Sequence, residues 1–175
     1  MALIAMIQGH YSPRDNLTQL LPMADSRLEG LLPCPHNGCA FKCCTFDQGN
    51  FIVIHPGEFE AAQARGEHHN HLELIDSDIL GGHRVVCRAT DCATCDGGMK
   101  PLDCASYPLF PTAESLTDDL APVIKGAKCP LPDEALHHHW TRIRARWREA
   151  AEGQPIVLEW LRRVKLVGYR LWDSQ

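Results

Sequence analysis

The sequence predicts a small α+β fold, in which a cysteine-rich loop region with short strands is covered by a C-terminal pair of helices. Nine cysteines lie between positions 34 and 129, and none lies outside this region. Short β-branched segments bounded by proline, glycine and asparagine predict strands inside it. Over residues 131–175 the apolar residues recur with a helical period, which predicts the helical pair.

We expect a single domain over residues 1–175, because domains typically contain roughly 100–200 residues. The apolar fraction of 45 % and the charged fraction of 22 % are typical of a globular protein and exclude a disordered tail. Within the domain we predict a cysteine-cluster core over 34–130 and a C-terminal helical hairpin over 131–175. Two short helices are predicted before the core, around residues 16–21 and 25–32.

Four elements are predicted inside the cysteine-rich core. The β-branched segment at 51–54 is bounded by asparagine and proline, and it predicts a strand. Proline at position 56, followed by an acidic residue, predicts a helix from there to about Arg65. Residues 84–87 follow two glycines and predict a second strand. Between them, the histidine-rich stretch 68–71 predicts a solvated polar loop, with chelation by His68, His69 and His71 as the less favoured alternative.

The C-terminal region predicts two helices joined by a short break. Gly153 ends the first helix, which covers about 133–151, and Pro155 begins the second. Arginines 142, 144, 146 and 148 fall outside the apolar stripe of the first helix. The apolar residues assigned to the second helix are Val157, Trp160, Leu161, Val164, Val167 and Leu171. We interpret the four tryptophans as core or docking residues of these helices.

Charge and hydropathy argue against two classes of protein. The formal net charge is −5, so nothing draws the whole chain toward nucleic acid. Residues 141–175 carry a net charge of +4, which we interpret as the solvated faces of amphipathic helices, with a nucleic-acid contact as the less favoured alternative. No segment reaches the roughly 18 consecutive apolar residues of a membrane-spanning helix. Residues 1–7 are too short for a signal peptide, so we expect a cytoplasmic protein.

The cysteines are the feature that points most directly to chemistry. An odd number of cysteines without a secretory signal argues against a full disulfide framework, because reducing compartments keep thiols free. Clustered cysteines in such a chain are more often metal ligands or redox groups. The candidate metal ligands are Cys34, Cys39, Cys43, Cys44, Cys87, Cys92, Cys95, Cys104 and Cys129.

The first half of the cysteine pattern resembles a known family. It consists of Cys34, Cys39 and the pair Cys43-Cys44, followed by a short strand and His55-Pro56-Gly57-Glu58. This order is similar to the YkgJ-type cysteine-cluster family, which is named for a CxxCxxCC motif and described as zinc- or iron-chelating. The spacings between the first cysteines are longer here than in that motif.

The second half of the pattern resembles the same family. It consists of Cys87, then Cys92 or Cys95, then Lys100-Pro101-Leu102-Asp103-Cys104, Tyr107-Pro108 and finally Cys129-Pro130. The family more often has arginine where this chain has Lys100. The resemblance covers residues 34–130 and implies a metal-binding domain. Flagellin lysine methylases carry a related cysteine cluster, which implies iron and sulfide.

The spacing of the cysteines indicates which kind of metal centre they bind. Structural zinc sites are usually built from short knuckles with two or four residues between cysteines, and Cys92-x2-Cys95 alone fits tightly. Ligands scattered from residue 34 to 129 favour an iron–sulfur cluster, with [4Fe–4S] as the expected form and zinc as the alternative. Cysteine followed by proline, as at Cys34 and Cys129, recurs at such clusters.

Several histidines are candidates for further metal ligands. His36 and His55 follow cysteines closely enough to be candidates for replacing a thiolate. The run His137-His138-His139 is predicted to be exposed helix surface, because consecutive helical side chains diverge by about 100° and cannot close on one ion. No phosphate loop, nucleophile elbow or zinc-protease motif is present, so no catalytic residue is assigned.

Three functions are compatible with these observations. The first is an iron–sulfur protein that acts as a redox or accessory component of a larger enzyme system, with a protein partner. The second is a zinc-stapled interaction module without redox activity. The third is an enzyme with an open coordination site at the cluster. In each case we expect metal removal to unfold the core over 34–130, because ligand binding there contributes to folding.

Overall fold

The computed structural model describes residues 42–46, 49–92 and 94–172, and these residues form a small α+β fold, as predicted. The strands are β1 (Ile52–Ile54), β2 (Leu72–Ser77), β3 (His83–Cys87), β4 (Leu109–Pro111), β5 (Val123–Gly126) and β6 (Tyr169–Trp172). The helices are α1 (Glu58–Ala64), α2 (Leu102–Ser106), α3 (Leu136–Ala151) and α4 (Pro155–Arg163). Short 3₁₀ turns connect several of them. The two helices predicted before residue 33, together with Cys34, His36 and Cys39, lie outside the described residues.

The first sheet has the order β1-β3-β2 and is antiparallel. The predicted strands β1 and β3 and the predicted helix α1 are confirmed. Strand β2 was not predicted, because only its first residue, Leu72, is buried and the sequence lacks the alternation of a half-buried strand. Its pairing with β3 places Leu72 opposite Cys87.

Strand β1 is buried on both faces. Ile52 and Ile54 pack with Ala62 of α1 and with Met99, whereas Val53 points to the opposite side and joins the core under α3 and α4. Successive side chains of a strand point to opposite faces, so a run of three β-branched residues suits a strand covered on both sides.

The second sheet has the order β4-β5-β6 and corrects one prediction. The second C-terminal helix was predicted to continue to Leu171, but α4 ends at Arg163 and the chain then forms β6 against β5. Val167 and Leu171 are 61 % and 71 % exposed, so they do not extend the apolar face of a helix. Gly168 provides the left-handed turn (φ 76°) at which the chain enters β6.

The main core lies under the helical pair α3 and α4, and β1, α2 and β4 contribute side chains to it. Trp147 of α3 and Trp160 of α4 are fully buried and stacked, with ring centroids 6.4 Å apart. Phe110 of β4 meets Trp147 edge-on at 5.1 Å. A Cβ atom at Gly82 would lie 2.4 Å from the indole nitrogen of Trp160, so the close approach of this loop to the core requires glycine. The prediction that Trp147 and Trp160 are core residues is confirmed.

Two polar residues of α3 are buried, contrary to prediction. His139 was expected on the exposed surface but is 2 % exposed, and its Nε2 atom donates a hydrogen bond to the carbonyl of Ser106 (2.9 Å). Arg144, expected outside the apolar stripe, is 9 % exposed and donates to the carbonyl of Ser115 (2.6 Å). The segments around Ser106 and Ser115 cover a second side of α3 that the periodicity does not reveal.

Across the described ranges, no helix is both long enough and apolar enough to cross a membrane.

Replacing Trp147 with alanine tests the importance of the stacked tryptophan pair. We expect Trp147→Ala to lower the free energy of unfolding by about 3–5 kcal/mol, because it leaves a cavity in a fully buried site. The partly buried Trp140 on the same helix is the matched control. Trp140→Ala should lower the free energy of unfolding clearly less than Trp147→Ala does. Urea denaturation followed by circular dichroism measures both changes, and equal losses would contradict this account of the core.

Candidate metal centre

Six cysteines converge on one cavity. The cavity has a volume of about 150 Å³, and its lining also includes aromatic side chains and two lysines, Lys100 and Lys128. The cysteines come from four separate parts of the chain: Cys43 and Cys44, Cys87, Cys92 and Cys95, and Cys104. Folding therefore gathers six of the nine predicted ligand residues around one space.

Different local structures present these thiols. Cys43 and Cys44 lie in a 3₁₀ turn, Lys42–Cys44, and their sulfur atoms are 4.0 Å apart. Cys87 is the last residue of β3. Cys95 begins the 3₁₀ turn Cys95–Gly97. Cys104 is the central residue of the short helix α2, which follows Pro101.

Asp96 fixes the loop that carries Cys92 and Cys95. Its carboxylate accepts hydrogen bonds from the backbone nitrogens of Asp91 (2.8 Å) and Thr90 (2.9 Å) and from the Thr90 hydroxyl (2.9 Å). The backbone bonds to Asp91 and Thr90 lower the pKa of Asp96. Cys95 and Asp96 both adopt a left-handed φ of 53°, which is uncommon outside glycine. Sequence analysis did not identify Asp96, although aspartate in a Gly-rich turn is a recognised turn signal.

Two buried carboxyl groups hold α2 against β1. Glu58 accepts a hydrogen bond from the backbone nitrogen of Leu102 (2.6 Å) and another from that of His55 (3.2 Å). Asp103 accepts one from the backbone nitrogen of Val53 (2.9 Å) and one from the hydroxyl of Tyr169 (3.3 Å). Burial is the main cause that raises the pKa of Asp103 to about 7, and the nearby Glu58 adds to it. Neither role was predicted from sequence.

The thiols differ in how readily they ionise. The hydrogen bond with Cys44 lowers the pKa of Cys43 to about 6, with a smaller contribution from Lys100. The same hydrogen bond raises the pKa of Cys44. Burial raises the pKa values of Cys87, Cys95 and Cys104. Cys43 is therefore the lining thiol on which the surroundings most favour the thiolate, the form that attacks and binds metals.

Two other candidate ligands, Cys129 and His55, do not line the cavity. Cys129 does not line the cavity, although the adjacent Lys128 does, and the backbone nitrogen of Lys128 donates to the hydroxyl of Tyr107 (3.1 Å). His55 is buried beside the tryptophans, 5.8 Å from the ring of Trp147, and its Nδ1 atom donates to the carbonyl of Pro56 (2.9 Å). His55 is thus already engaged elsewhere.

One histidine of the predicted polar loop is buried, contrary to the prediction. His68 and His69 are exposed, as predicted, but His71 is buried and lines the cavity. The sequence gives no signal for this, since burial follows from the pairing of β2 with β3. Within the ranges that the structure covers, no three cysteine, histidine, aspartate or glutamate side chains already stand in the arrangement of a single-ion site.

The donor set suits a metal centre with soft ligands. Six thiols around one space match the preference of iron–sulfur clusters and of zinc for cysteine. Lys100 supplies a positive charge against the negative charge that bound thiolates would carry. Comparisons with protein-family models, with characterised proteins and with solved structures give no match to this chain.

The buried Asp103 predicts a pH dependence of stability. Its folded pKa of about 7 lies above the usual aspartate value of about 3.9, so between these pH values the native state holds more protons than the unfolded state. Stability from this group is therefore present at low pH and lost as pH rises toward 7. In the Asp103→Asn variant, the side-chain amide can accept the hydrogen bond from the backbone nitrogen of Val53 and donate one to the hydroxyl of Tyr169. Because an amide does not titrate, the variant does not lose this stability as the pH rises.

We expect the unfolding free energy of the wild-type protein to fall relative to Asp103→Asn by roughly 2–3 kcal/mol between pH 5 and pH 8, at about 1.4 kcal/mol per pKa unit. Urea denaturation under argon at several pH values measures the difference. Parallel curves for the two proteins would show that Asp103 is ionised throughout this range.

Proposed function

We propose that this protein binds an iron–sulfur cluster, most simply [4Fe–4S], through cysteine thiolates, and that it acts as a redox or accessory component of a larger enzyme system. The observation that supports this proposal best is the convergence of six cysteines on one cavity. A bound cluster would supply one-electron redox chemistry. The residues of this chain would bind it, balance its charge and limit its contact with water.

The size and lining of the cavity favour a cluster over a single ion. One tetrahedral zinc bonded to four thiolates at about 2.3 Å fills the space between its ligands. Here the six thiols are part of the wall of a cavity of about 150 Å³, which is far more than the space that one water molecule needs. They also come from four chain segments rather than from paired short knuckles. A cluster accepts ligands from scattered loops because its metal atoms are spread over a larger core.

The resemblance to the YkgJ-type cysteine-cluster family supports the same proposal. Of the residues that carry it, Cys43, Cys44, Cys87 and Cys104 all line the cavity, and so does Lys100. Both candidates for the intervening cysteine, Cys92 and Cys95, line it as well. The spatial grouping therefore agrees with the order of the motif without choosing between these two.

A protein partner could approach where the cavity reaches the surface. Val167 is 61 % exposed and also lines the cavity, and the exposed Lys128 stands nearby in the lining. Burial of an exposed apolar residue beside a redox centre would give a partner close access to the electrons held there. The accessory role that we propose rests on this opening.

Metal and sulfide analysis of protein purified without oxygen tests the proposal. We expect a brown protein that contains iron and acid-labile sulfide and whose visible absorption decreases on reduction. A colourless protein with stoichiometric zinc would overturn the proposal in favour of a zinc-stapled interaction module. Protein that carries neither metal after reconstitution with iron and sulfide would overturn both.

Serine variants of the lining cysteines extend this test to the individual ligands. Cys104→Ser should lower the iron content per chain by at least half, because serine oxygen is a poorer ligand than thiolate for this centre. Asn50→Ala, which alters the same cavity without removing a thiol, should keep full iron content. Comparing Cys92→Ser with Cys95→Ser shows which of these two binds the metal.

Removal of the metal should lower the thermal stability. A structural metal contributes to folding, and a loss of about 5 kcal/mol would lower the melting temperature of a domain of this size by about 10–20 °C. Circular dichroism of the metal-bound protein and of the protein treated with a chelator and a reductant measures the shift. An unchanged melting curve would show that the hydrophobic clusters hold the fold without the metal.

A further inference from the structure

His71 is a buried histidine whose ring has no hydrogen-bond partner. The residue is 6 % exposed, and both Nδ1 and Nε2 are buried without a partner in hydrogen-bonding geometry. The other buried histidines in the described part of the chain differ, since His55 and His139 each have one ring nitrogen bonded to a backbone carbonyl. Buried polar groups in folded proteins are almost always satisfied, so these two nitrogens require an explanation.

The position of His71 relates it to the cysteines. His71 immediately precedes β2, and its carbonyl accepts a hydrogen bond from the backbone nitrogen of Arg88 (2.7 Å). The next residue, Leu72, pairs with Cys87 across the sheet. This register brings the imidazole to the cavity wall beside the end of β3, and the ring lines the same cavity as the six thiols.

The turn that carries Cys95 holds the imidazole from the other side. A Cβ atom at Gly98 would lie 2.6 Å from Cε1 of His71, so the ring packs directly on the glycine backbone. The backbone nitrogen of Met99 donates to the carbonyl of His68 (2.8 Å), which ties the histidine loop to this turn. The ring is therefore fixed between two segments that each contribute cysteines.

The surroundings favour the form of histidine that binds metals. Burial is the main cause that lowers the pKa of His71, and it outweighs the smaller opposite effect of the Met99 backbone, which lies near the ring but not in hydrogen-bonding geometry. A neutral imidazole has a free lone pair on one ring nitrogen, and this is the form found in metal sites. Imidazole and thiolate together bind both zinc and iron–sulfur centres, and histidine replaces cysteine on one iron in some clusters.

We infer that His71 is an imidazole ligand of the metal centre, placed on the side of the cavity formed by Cys87 and Cys95. This inference rests on the proposed function, because it needs a metal centre in the cavity. It explains one of the two unpartnered nitrogens, since that nitrogen would bind the metal. It also explains why the buried side chain next to Gly98 is a histidine rather than an apolar residue.

X-ray absorption at the edge of whichever metal the protein holds tests the ligand directly. For the full-length wild-type protein purified without oxygen, we expect mixed sulfur and nitrogen ligation with the outer-shell scattering of an imidazole ring. His71→Ala should lose the imidazole signal, whereas His69→Ala should keep it. His69 is the matched control because it lies in the same loop, is exposed and does not line the cavity.

A second variant gives a readout that a purely structural role would not produce. His71→Cys should keep the metal content of wild type and shift the reduction potential downward, because a thiolate brings a negative charge to the centre and a neutral imidazole brings none. A wild-type protein that holds iron and sulfide but shows no imidazole scattering would overturn the inference and leave the proposed function intact. Absence of any bound metal would overturn the proposed function, and the inference with it.

Discussion

The arrangement of the described part of the chain depends on two buried carboxyl groups, Glu58 of α1 and Asp103 of α2, which join α2 to the start of α1 and to β1. Glu58 binds the first backbone nitrogen of α2, and Asp103 reaches back to the backbone nitrogen of Val53. Burying such groups is unfavourable unless they are hydrogen-bonded, and each of them here accepts two bonds. These contacts seat a helix of only five residues, which could not be stable by itself, between the cavity and the aromatic core.

Tyr169 links the second sheet to the contact between Asp103 and β1 of the first sheet. Its hydroxyl bonds to Asp103, its ring centroid lies 6.1 Å from that of Phe110, and it also lines the cavity. Because Tyr169 begins β6, the C-terminal strand contributes to the wall around the cysteines rather than extending a helix. The C-terminal region therefore covers the cysteine-rich region with one strand as well as with helices.

Much of the local structure could be predicted from the sequence, but the long-range contacts could not. The β-branched segment of β1, the proline and acid before α1 and the periodicity of α3 are local signals, and all three elements are found. Leu171 fits a helical period by spacing alone, yet pairing with β5 places it in a strand. The burial of His71 and His139 depends on neighbours distant in sequence, for which no local pattern exists.

The short helix α2 also links the cavity to an optical signal. Helical residues point in successive directions about 100° apart, so Leu102 enters the aromatic core, Asp103 meets β1 and Cys104 faces the cavity. One turn further, the hydroxyl of Ser106 accepts a hydrogen bond from the indole of Trp147 (2.7 Å). A rotation of this one turn would disturb all of these contacts together. The natural fluorescence of Trp147 thus provides a built-in reporter of events among the thiols, with no label attached.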